Sequence, residues 1–123
     1  MARILIVEPH ADIRALLEHV VRRLGHEPVV PDWHNGSLPA VDAAVIEPGD
    51  PLGLPYARRL REQGLPVVFT SIFPADQETL KLEPVAYFVK PFALNDLGGA
   101  LESALDRNQT AQIESGWSIR TAS

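Results

Sequence analysis

The chain has 123 residues and 13.5 kDa, enough for one compact domain, and a hydrophobic fraction of 46% is typical of a protein with a buried core. A net charge of −5 argues against a general electrostatic partnership with nucleic acid or anionic membranes. The lack of cysteine excludes disulfides and thiolate sites, and no apolar run approaches the ~20 residues of a membrane span. The first residues lack the apolar core of a signal peptide, so we expect a cytoplasmic protein.

The N-terminal part of the chain alternates apolar strands with one clear helix. Residues 4–7 form a continuous apolar run, which is typical of a strand buried on both faces of a parallel sheet. Apolar residues at helical spacing then predict an amphipathic helix, with inward positions at Ile13, Leu16, Leu17, Val20, Val21 and Leu24. Residues 28–30 favour a second strand, and the proline-rich residues 31–40 predict a loop. Residues 41–46 favour a third strand that ends at Glu47.

The C-terminal part continues the alternation. The predicted elements are a loop over 48–53, a helix over 56–63, a strand over 66–71, a short helix over 74–83, a strand over 85–89, and a final helix over 94–105 with Leu94, Leu97, Leu101 and Leu105 inward. We expect Arg58, Arg59 and Arg61 to form a solvated face. Five strands alternating with helices predict an α/β fold, a doubly wound parallel sheet with right-handed crossovers. Residues 1–106 are predicted as one domain, and the polar residues 107–123 as a flexible tail.

Several motifs follow one another in a characteristic order. They are Ile4 to Glu8 followed by Asp12, Ile13 and Arg14; Asp42 to Glu47 with Pro51 four residues later; Pro66 to Ser71; and Tyr87-Phe88-Val89-Lys90-Pro91-Phe92. Together they resemble the receiver domain of bacterial two-component response regulators, over roughly residues 3–106. The resemblance implies a flavodoxin-like five-stranded sheet in order 2-1-3-4-5. The intervals Gly25–Asp42 and Ser71–Lys90 are shorter than receivers usually have, so we expect the second and fourth helices to be shortened or lost.

Four functional side chains are predicted to meet at one rim of the sheet. The strand assignment alone places Glu8, Glu47, Ser71 and Lys90 at carboxyl ends of strands, where open α/β sheets gather their functional groups. The resemblance implies that Glu47 occupies the phosphoacceptor position. It also implies that Ser71, Tyr87 and Lys90 are equivalent to the switch and phosphate-pocket residues. A tyrosine in a fifth strand is equally consistent with ordinary packing.

The sequence departs from the receiver pattern at the reaction centre. Pro9 stands where receivers carry a second acid and offers no ligand, and Glu47 is one methylene longer than the usual aspartate. Phosphoryl transfer depends on positioning, and a displacement of about 1 Å can lower the rate about 100-fold. We therefore expect no ordinary phosphorylation, no enzyme activity and no cofactor, with Mg²⁺ held weakly by Glu8 and Glu47 if at all. Glu47 is predicted either to imitate the charged state by pairing with Lys90 and Ser71, or to form a structural ion pair.

These features favour a degenerate receiver, or pseudo-receiver, that signals by protein contact. The implied partners are a histidine kinase, a phosphotransfer protein or an output protein, with a homodimer also possible. One alternative is a slow but competent Mg²⁺-dependent phosphoacceptor, in which Asp50 or Asp12 substitutes as acceptor or ligand. Another is a small-ligand binder or an enzyme at the same rim. The enzyme has little support, because the sequence has no glycine-rich phosphate loop, no nucleophile elbow and no histidine near the predicted rim.

Overall fold

The computed structural model describes residues 1–31 and 37–106, which build an α/β sandwich. The strands are β1 (Arg3–Val7), β2 (Glu27–Val29), β3 (Ala43–Ile46), β4 (Val67–Ser71) and β5 (Ala86–Val89). The helices are α1 (Ala11–Arg23), α2 (Gly53–Glu62), α3 (Gln77–Leu80) and α4, which runs over residues 94–106 to the end of the described part. All four strand pairings are parallel, and the order is β2-β1-β3-β4-β5. The predicted flavodoxin-like fold class is confirmed.

Alternation along the central strands sends side chains to two apolar layers. Ile4 and Ile6 of β1 pack on one side of the sheet with α1 and α4, whereas Leu5 and Val7 pack on the other side with α2. Since both faces of β1 are covered, its four apolar residues are almost completely buried. This double coverage explains the continuous apolar run in the sequence.

Two leucines that the helical pattern placed in the core lie at its margin. Leu16 is 50% exposed and Leu94 is 36% exposed, so their prediction as inward residues is wrong. Leu17, Leu97 and the other inward leucines of α4 are buried as predicted. A period of 3.6 residues defines the direction of an apolar stripe but does not define its width.

Helix α2 begins within the segment predicted as a loop. The carboxylate of Asp50 accepts a hydrogen bond from Leu52 N at 2.9 Å, and its carbonyl accepts one from Gly53 N at 2.9 Å. These bonds satisfy amide groups that the first turn of a helix leaves without partners. Pro55 is compatible with this first turn because a proline needs no hydrogen-bond acceptor there.

The two helices predicted to be reduced are short or missing in the described residues. Between β2 and β3, residues 30, 31 and 37–42 contain no helix, and residues 32–36 lie outside the described part. Between β4 and β5, α3 has four residues and begins with a capping box, in which Asp76 and Thr79 bond each other's backbone amides.

Arginines of α2 hold the segment around α3. Arg58 and Arg59 are exposed, as predicted for a solvated face, whereas Arg61 is only half-exposed. Arg61 donates from Nε to the Leu82 carbonyl at 2.8 Å, and Arg58 forms an ion pair with Glu78. The shortened α3 segment is therefore attached to α2 through side chains as well as through its own single turn.

Among residues 1–31 and 37–106, no helix has the length and apolar character needed to span a bilayer. The predicted tail over residues 107–123 lies outside the described residues.

Candidate functional site

The predicted rim residues stand at the carboxyl ends of four strands. Glu8 follows β1, Glu47 follows β3, Ser71 is the last residue of β4, and Lys90 follows β5. Both glutamates are buried, with 1% of Glu8 and 8% of Glu47 exposed. The parallel topology therefore brings two acids and one base from distant parts of the sequence into a water-poor site.

Lys90 joins the two glutamates. Its ammonium Nζ lies 2.5 Å from Glu8 Oε1 and 3.0 Å from Glu47 Oε2. The Glu47 contact corresponds to the ion pair considered from the sequence, whereas the shorter contact with Glu8 was not anticipated. One cation between two buried carboxylates leaves the cluster of Glu8, Glu47 and Lys90 with a formal charge of −1, and charge-assisted bonds of this kind are among the stronger hydrogen bonds.

The remaining carboxylate oxygens also have donors from the chain. Glu8 Oε2 accepts a hydrogen bond from the His10 amide at 3.2 Å and lies 3.3 Å from His10 Nδ1. Glu47 Oε1 accepts one from Gly49 N at 3.0 Å. The expectation that no histidine lies near the rim is therefore wrong. His10 is three residues beyond the end of the predicted first strand and two beyond Glu8, and that position is the sequence signal for its contact with Glu8.

The backbone around Glu47 depends on a glycine in α2. A Cβ atom at position 53 would lie 2.4 Å from the Glu47 carbonyl oxygen, far inside van der Waals contact. Gly53 thus allows the first turn of α2 to pack directly against the residue that follows β3. On the other side, Glu47 N donates to the Val7 carbonyl at 2.8 Å, which continues the β1–β3 ladder.

The charge of Lys90 is stabilised by its surroundings. Burial alone lowers the pKa of Lys90, but the hydrogen bonds and charges of Glu8 and Glu47 outweigh this effect. The pKa of Lys90 therefore lies above its ordinary value of 10.5. The ammonium form is favoured throughout the physiological range.

Ser71 and Tyr87 contact the loop after β4. Ser71 Oγ accepts a hydrogen bond from Phe73 N at 3.2 Å, and the Tyr87 hydroxyl donates to the Phe73 carbonyl at 2.9 Å. The Tyr87 ring also packs against Phe69, with 6.0 Å between ring centroids. The two hydroxyls thus bond the amide and the carbonyl of the same residue, Phe73. In this arrangement Glu47 contacts Lys90 and Gly49, and the Ser71 hydroxyl is directed to the loop.

The site does not fit a magnesium ion of the type that receivers use. Pro9 contributes no ligand, and the oxygens of Glu8 and Glu47 are directed to donors of the chain. Asp50 is buried, but its carboxylate supports the start of α2, and Asp12 is exposed in the first turn of α1. Among the described residues, no group of three acidic or histidine side chains is arranged to hold a metal ion.

An apolar groove adjoins the cluster on the side of α1. It has a volume of about 380 Å³ and is lined by Ile13, Leu16, Leu17, Ile72, Lys90, Pro91, Phe92 and Leu94. Leu16 and Leu94 border this groove, which explains why they are only partly covered. The stem of Lys90 forms part of its wall, so the groove and the ion cluster share one residue.

Known proteins resemble this chain in structure. NtrX from Brucella abortus in complex with ADP matches at a TM-score of 0.84 and 23% identity, over 99% of this chain and 30% of NtrX. A response regulator receiver domain protein from Clostridium thermocellum matches at a TM-score of 0.73 and 17% identity, over 90% of this chain and 99% of its own. The chemotaxis protein CheY4 of Vibrio cholerae matches at a TM-score of 0.70 and 20% identity, over 85% and 99%.

The comparisons by sequence give no match. No protein-family model matches the chain, and neither does any curated protein at a significant level. This chain spans less than a third of the NtrX chain, and its identity to these structures is below 25%. The common feature is the architecture: a parallel sheet in order 2-1-3-4-5 with helices on both faces. The chain therefore has the fold of response regulator receiver domains.

Proposed function

We propose that this protein is a pseudo-receiver, a signalling module of a two-component system that acts in the cytoplasm by protein contact and without ordinary phosphorylation. It binds a histidine kinase, a phosphotransfer protein or an output protein, and it catalyses no reaction. It uses neither Mg²⁺ nor another cofactor. The receiver fold supports the general role, and the altered rim supports its independence from phosphate.

The observation that carries the proposal is the position of Lys90. Its ammonium lies between the carboxylates of Glu8 and Glu47, at 2.5 Å and 3.0 Å, where it neutralises charge that a divalent cation would otherwise neutralise. A metal ion has to displace this ammonium from two buried partners. Mg²⁺ also loses its hydration water reluctantly and requires near-octahedral oxygen ligands.

Glu47 is poorly disposed to attack phosphorus. Each of its oxygens accepts a hydrogen bond, one from Gly49 N and one from Lys90 Nζ. A nucleophilic oxygen has to lie in line with the leaving group, and most of the catalysis in phosphoryl transfer comes from such positioning. The Glu47 carboxylate lacks this positioning, because its two oxygens are held by Gly49 N and Lys90 Nζ.

The apolar groove beside Lys90 supports a role in protein binding. Leu16, Ile72 and Leu94 expose 50%, 65% and 36% of their surfaces around it. Apolar groups of this size at a rim otherwise built from charges favour contact with an apolar surface of a partner protein. A partner in this groove also touches the stem of Lys90 and so senses the ion cluster directly.

Intact mass spectrometry tests the proposal. The protein is incubated with Mg²⁺ and a small phosphodonor, beside an ordinary receiver domain as a positive control. We expect the ordinary receiver to gain a phosphoryl group and this protein to remain unmodified. A labile, Mg²⁺-dependent adduct on Glu47 would contradict the proposal.

A matched variant shows whether the two altered positions are responsible. The double variant Pro9→Asp, Glu47→Asp supplies the second acid and the shorter acceptor on the same scaffold. We expect it to bind Mg²⁺ and to gain phosphate more readily than the natural sequence.

Co-purification of the natural chain and of a Leu16→Glu variant from the native cell then tests the groove, because the charge should release the bound protein.

A further inference from the structure

A buried hydroxyl near the ion cluster has no hydrogen-bond partner. Thr70 is 0% exposed, and within residues 1–31 and 37–106 its Oγ1 is the one buried side-chain polar atom without a partner. A buried hydroxyl that makes no hydrogen bond costs free energy, and a valine of nearly the same shape would avoid this cost. The hydroxyl of the next residue, Ser71, is engaged with Phe73 N. Neither the packing of the sheet nor the proposed function requires a hydroxyl at position 70.

The register of the sheet makes Thr70 a neighbour of Glu47. The last residue of β3 lies opposite the residue that precedes Thr70. Glu47 and Thr70 therefore follow as the next pair, on strands about 4.8 Å apart. Two residues earlier, Val45 and Val68 both pack on the side of the sheet that α1 and α4 cover. Because side chains two residues apart on a strand share a face, Glu47 and Thr70 belong to this side as well.

The side chain of Lys90 crosses the end of the strand that carries Thr70. Lys90 follows β5, Glu47 follows β3, and β4 lies between these two strands. An ammonium 3.0 Å from Glu47 Oε2 has therefore passed over the end of β4. It does so on the face to which Thr70 belongs, since Lys90 lines the groove there with Ile13 and Leu17 of α1. Two donors are thus near the Glu47 carboxylate, and in this arrangement the ammonium bonds it.

We propose that Thr70 is the alternative hydrogen-bond donor of Glu47 and bonds this carboxylate when the Lys90 ammonium leaves it. The rim then has two arrangements. In the first, Lys90 bonds Glu47 and the Thr70 hydroxyl bonds no described group. In the second, the Glu47 side chain turns towards β4, and Thr70 Oγ1 donates to one of its oxygens. A hydroxyl rotates to suit its acceptor, so this change requires no movement of the strands.

The second arrangement gives the rim a means of responding to a partner. Lys90 belongs both to the ion cluster and to the wall of the apolar groove, and its side chain is 12% exposed. A partner in the groove that draws Lys90 outward leaves Glu47 bonded to Thr70. Without this donor, Glu47 would become a buried charge with one partner fewer, which is costly. This consequence rests on the proposed function, whereas the exchange of donors does not.

Thr70→Val in three backgrounds tests the exchange, with the midpoint of urea unfolding as the readout. In the natural chain the midpoint should stay the same or rise, because no hydrogen bond is lost. In the background Lys90→Met, Glu8→Met, the Glu47 carboxylate is the one charge of the cluster that remains. Thr70→Val should there lower the midpoint by about 0.5 M or more, the effect of losing a hydrogen bond to a charged group.

The matched background is Lys90→Met, Glu47→Met, which also keeps one carboxylate, that of Glu8. Thr70→Val should change its midpoint little, because the acceptor is gone. A chelator excludes divalent ions, and sucrose in every sample keeps the weakened backgrounds folded before urea is added. A lower midpoint for Thr70→Val in the natural chain, or equal effects in the two backgrounds, would overturn the proposal. No phosphodonor or partner is present, so this result is independent of the phosphorylation test.

Discussion

Replacing Lys90 by methionine isolates the energetic role of the ion cluster. The variant keeps most of the side-chain volume and removes the charge that both Glu8 and Glu47 contact. Two carboxylates with side-chain exposures of 0% and 10% then face each other without a cation. We expect the folded state to lose much of its stability, because both acids are almost fully buried at the ends of central strands.

The size of the effect follows from burial. Removing one partner from a buried ion pair costs about 3–5 kcal/mol, because the other charge remains buried without compensation. The free energy of unfolding of a small domain is about 5–15 kcal/mol in total. For a urea dependence of about 1–3 kcal/mol per molar, Lys90→Met should lower the unfolding midpoint by at least about 1 M.

Urea unfolding followed by circular dichroism, with a chelator present so that no divalent ion replaces the ammonium, measures this loss. The matched control is the triple variant Lys90→Met, Glu8→Gln, Glu47→Gln, in which no charge remains to be compensated. It should recover most of the midpoint. A loss below about 1 kcal/mol for Lys90→Met, the size typical of exposed pairs, would refute the reasoning.

Two further predictions concern the same rim. Gly53→Ala places a Cβ atom 2.4 Å from the Glu47 carbonyl oxygen and should lower the free energy of unfolding by about 1–3 kcal/mol, the range for overpacking, as measured by urea unfolding. Alkaline pH should act through Lys90, because its pKa is raised in the folded state. Its stabilisation should be complete below the ordinary value of 10.5 and decline as the pH rises through the higher folded value. Midpoints measured across pH 10.5 should fall more steeply for the natural chain than for Lys90→Met, and parallel curves would contradict this.

The sequence predicts the sheet well because the apolar runs are short, continuous and separated by turn residues. The carboxyl ends of parallel strands meet at one edge, so the sequence alone places Glu8, Glu47 and Lys90 together. Their pairing could not be predicted in the same way. Lys90 contacts Glu8 more closely than Glu47, and this depends on side-chain conformations in three dimensions. His10 was missed because its contact arises from the turn after β1, which no periodic pattern describes.

The helices were predicted less completely, for a different reason. The start of α2 lies in a proline- and glycine-rich segment, and Asp50 turns this segment into a helix start through two local hydrogen bonds. Leu16 and Leu94 continue the apolar patterns of their helices, but no described element covers them fully. A pattern records that a residue is apolar, whereas burial depends on what lies opposite.

The length of Glu47 connects the stability of the rim with the proposed loss of phosphorylation. One oxygen reaches Gly49 N at 3.0 Å, and the other reaches Lys90 Nζ at 3.0 Å. An aspartate at this position would draw the carboxylate back by about one carbon–carbon bond, roughly 1.5 Å. It would then be too short to hold both donors at these distances. The extra methylene of Glu47 therefore has two effects. It moves the carboxylate away from the position of a nucleophile, and it lets the two oxygens reach their hydrogen-bond donors. We infer that an aspartate at position 47 lowers stability until a second acid at position 9 and a metal ion replace the contacts that Lys90 and Gly49 now make.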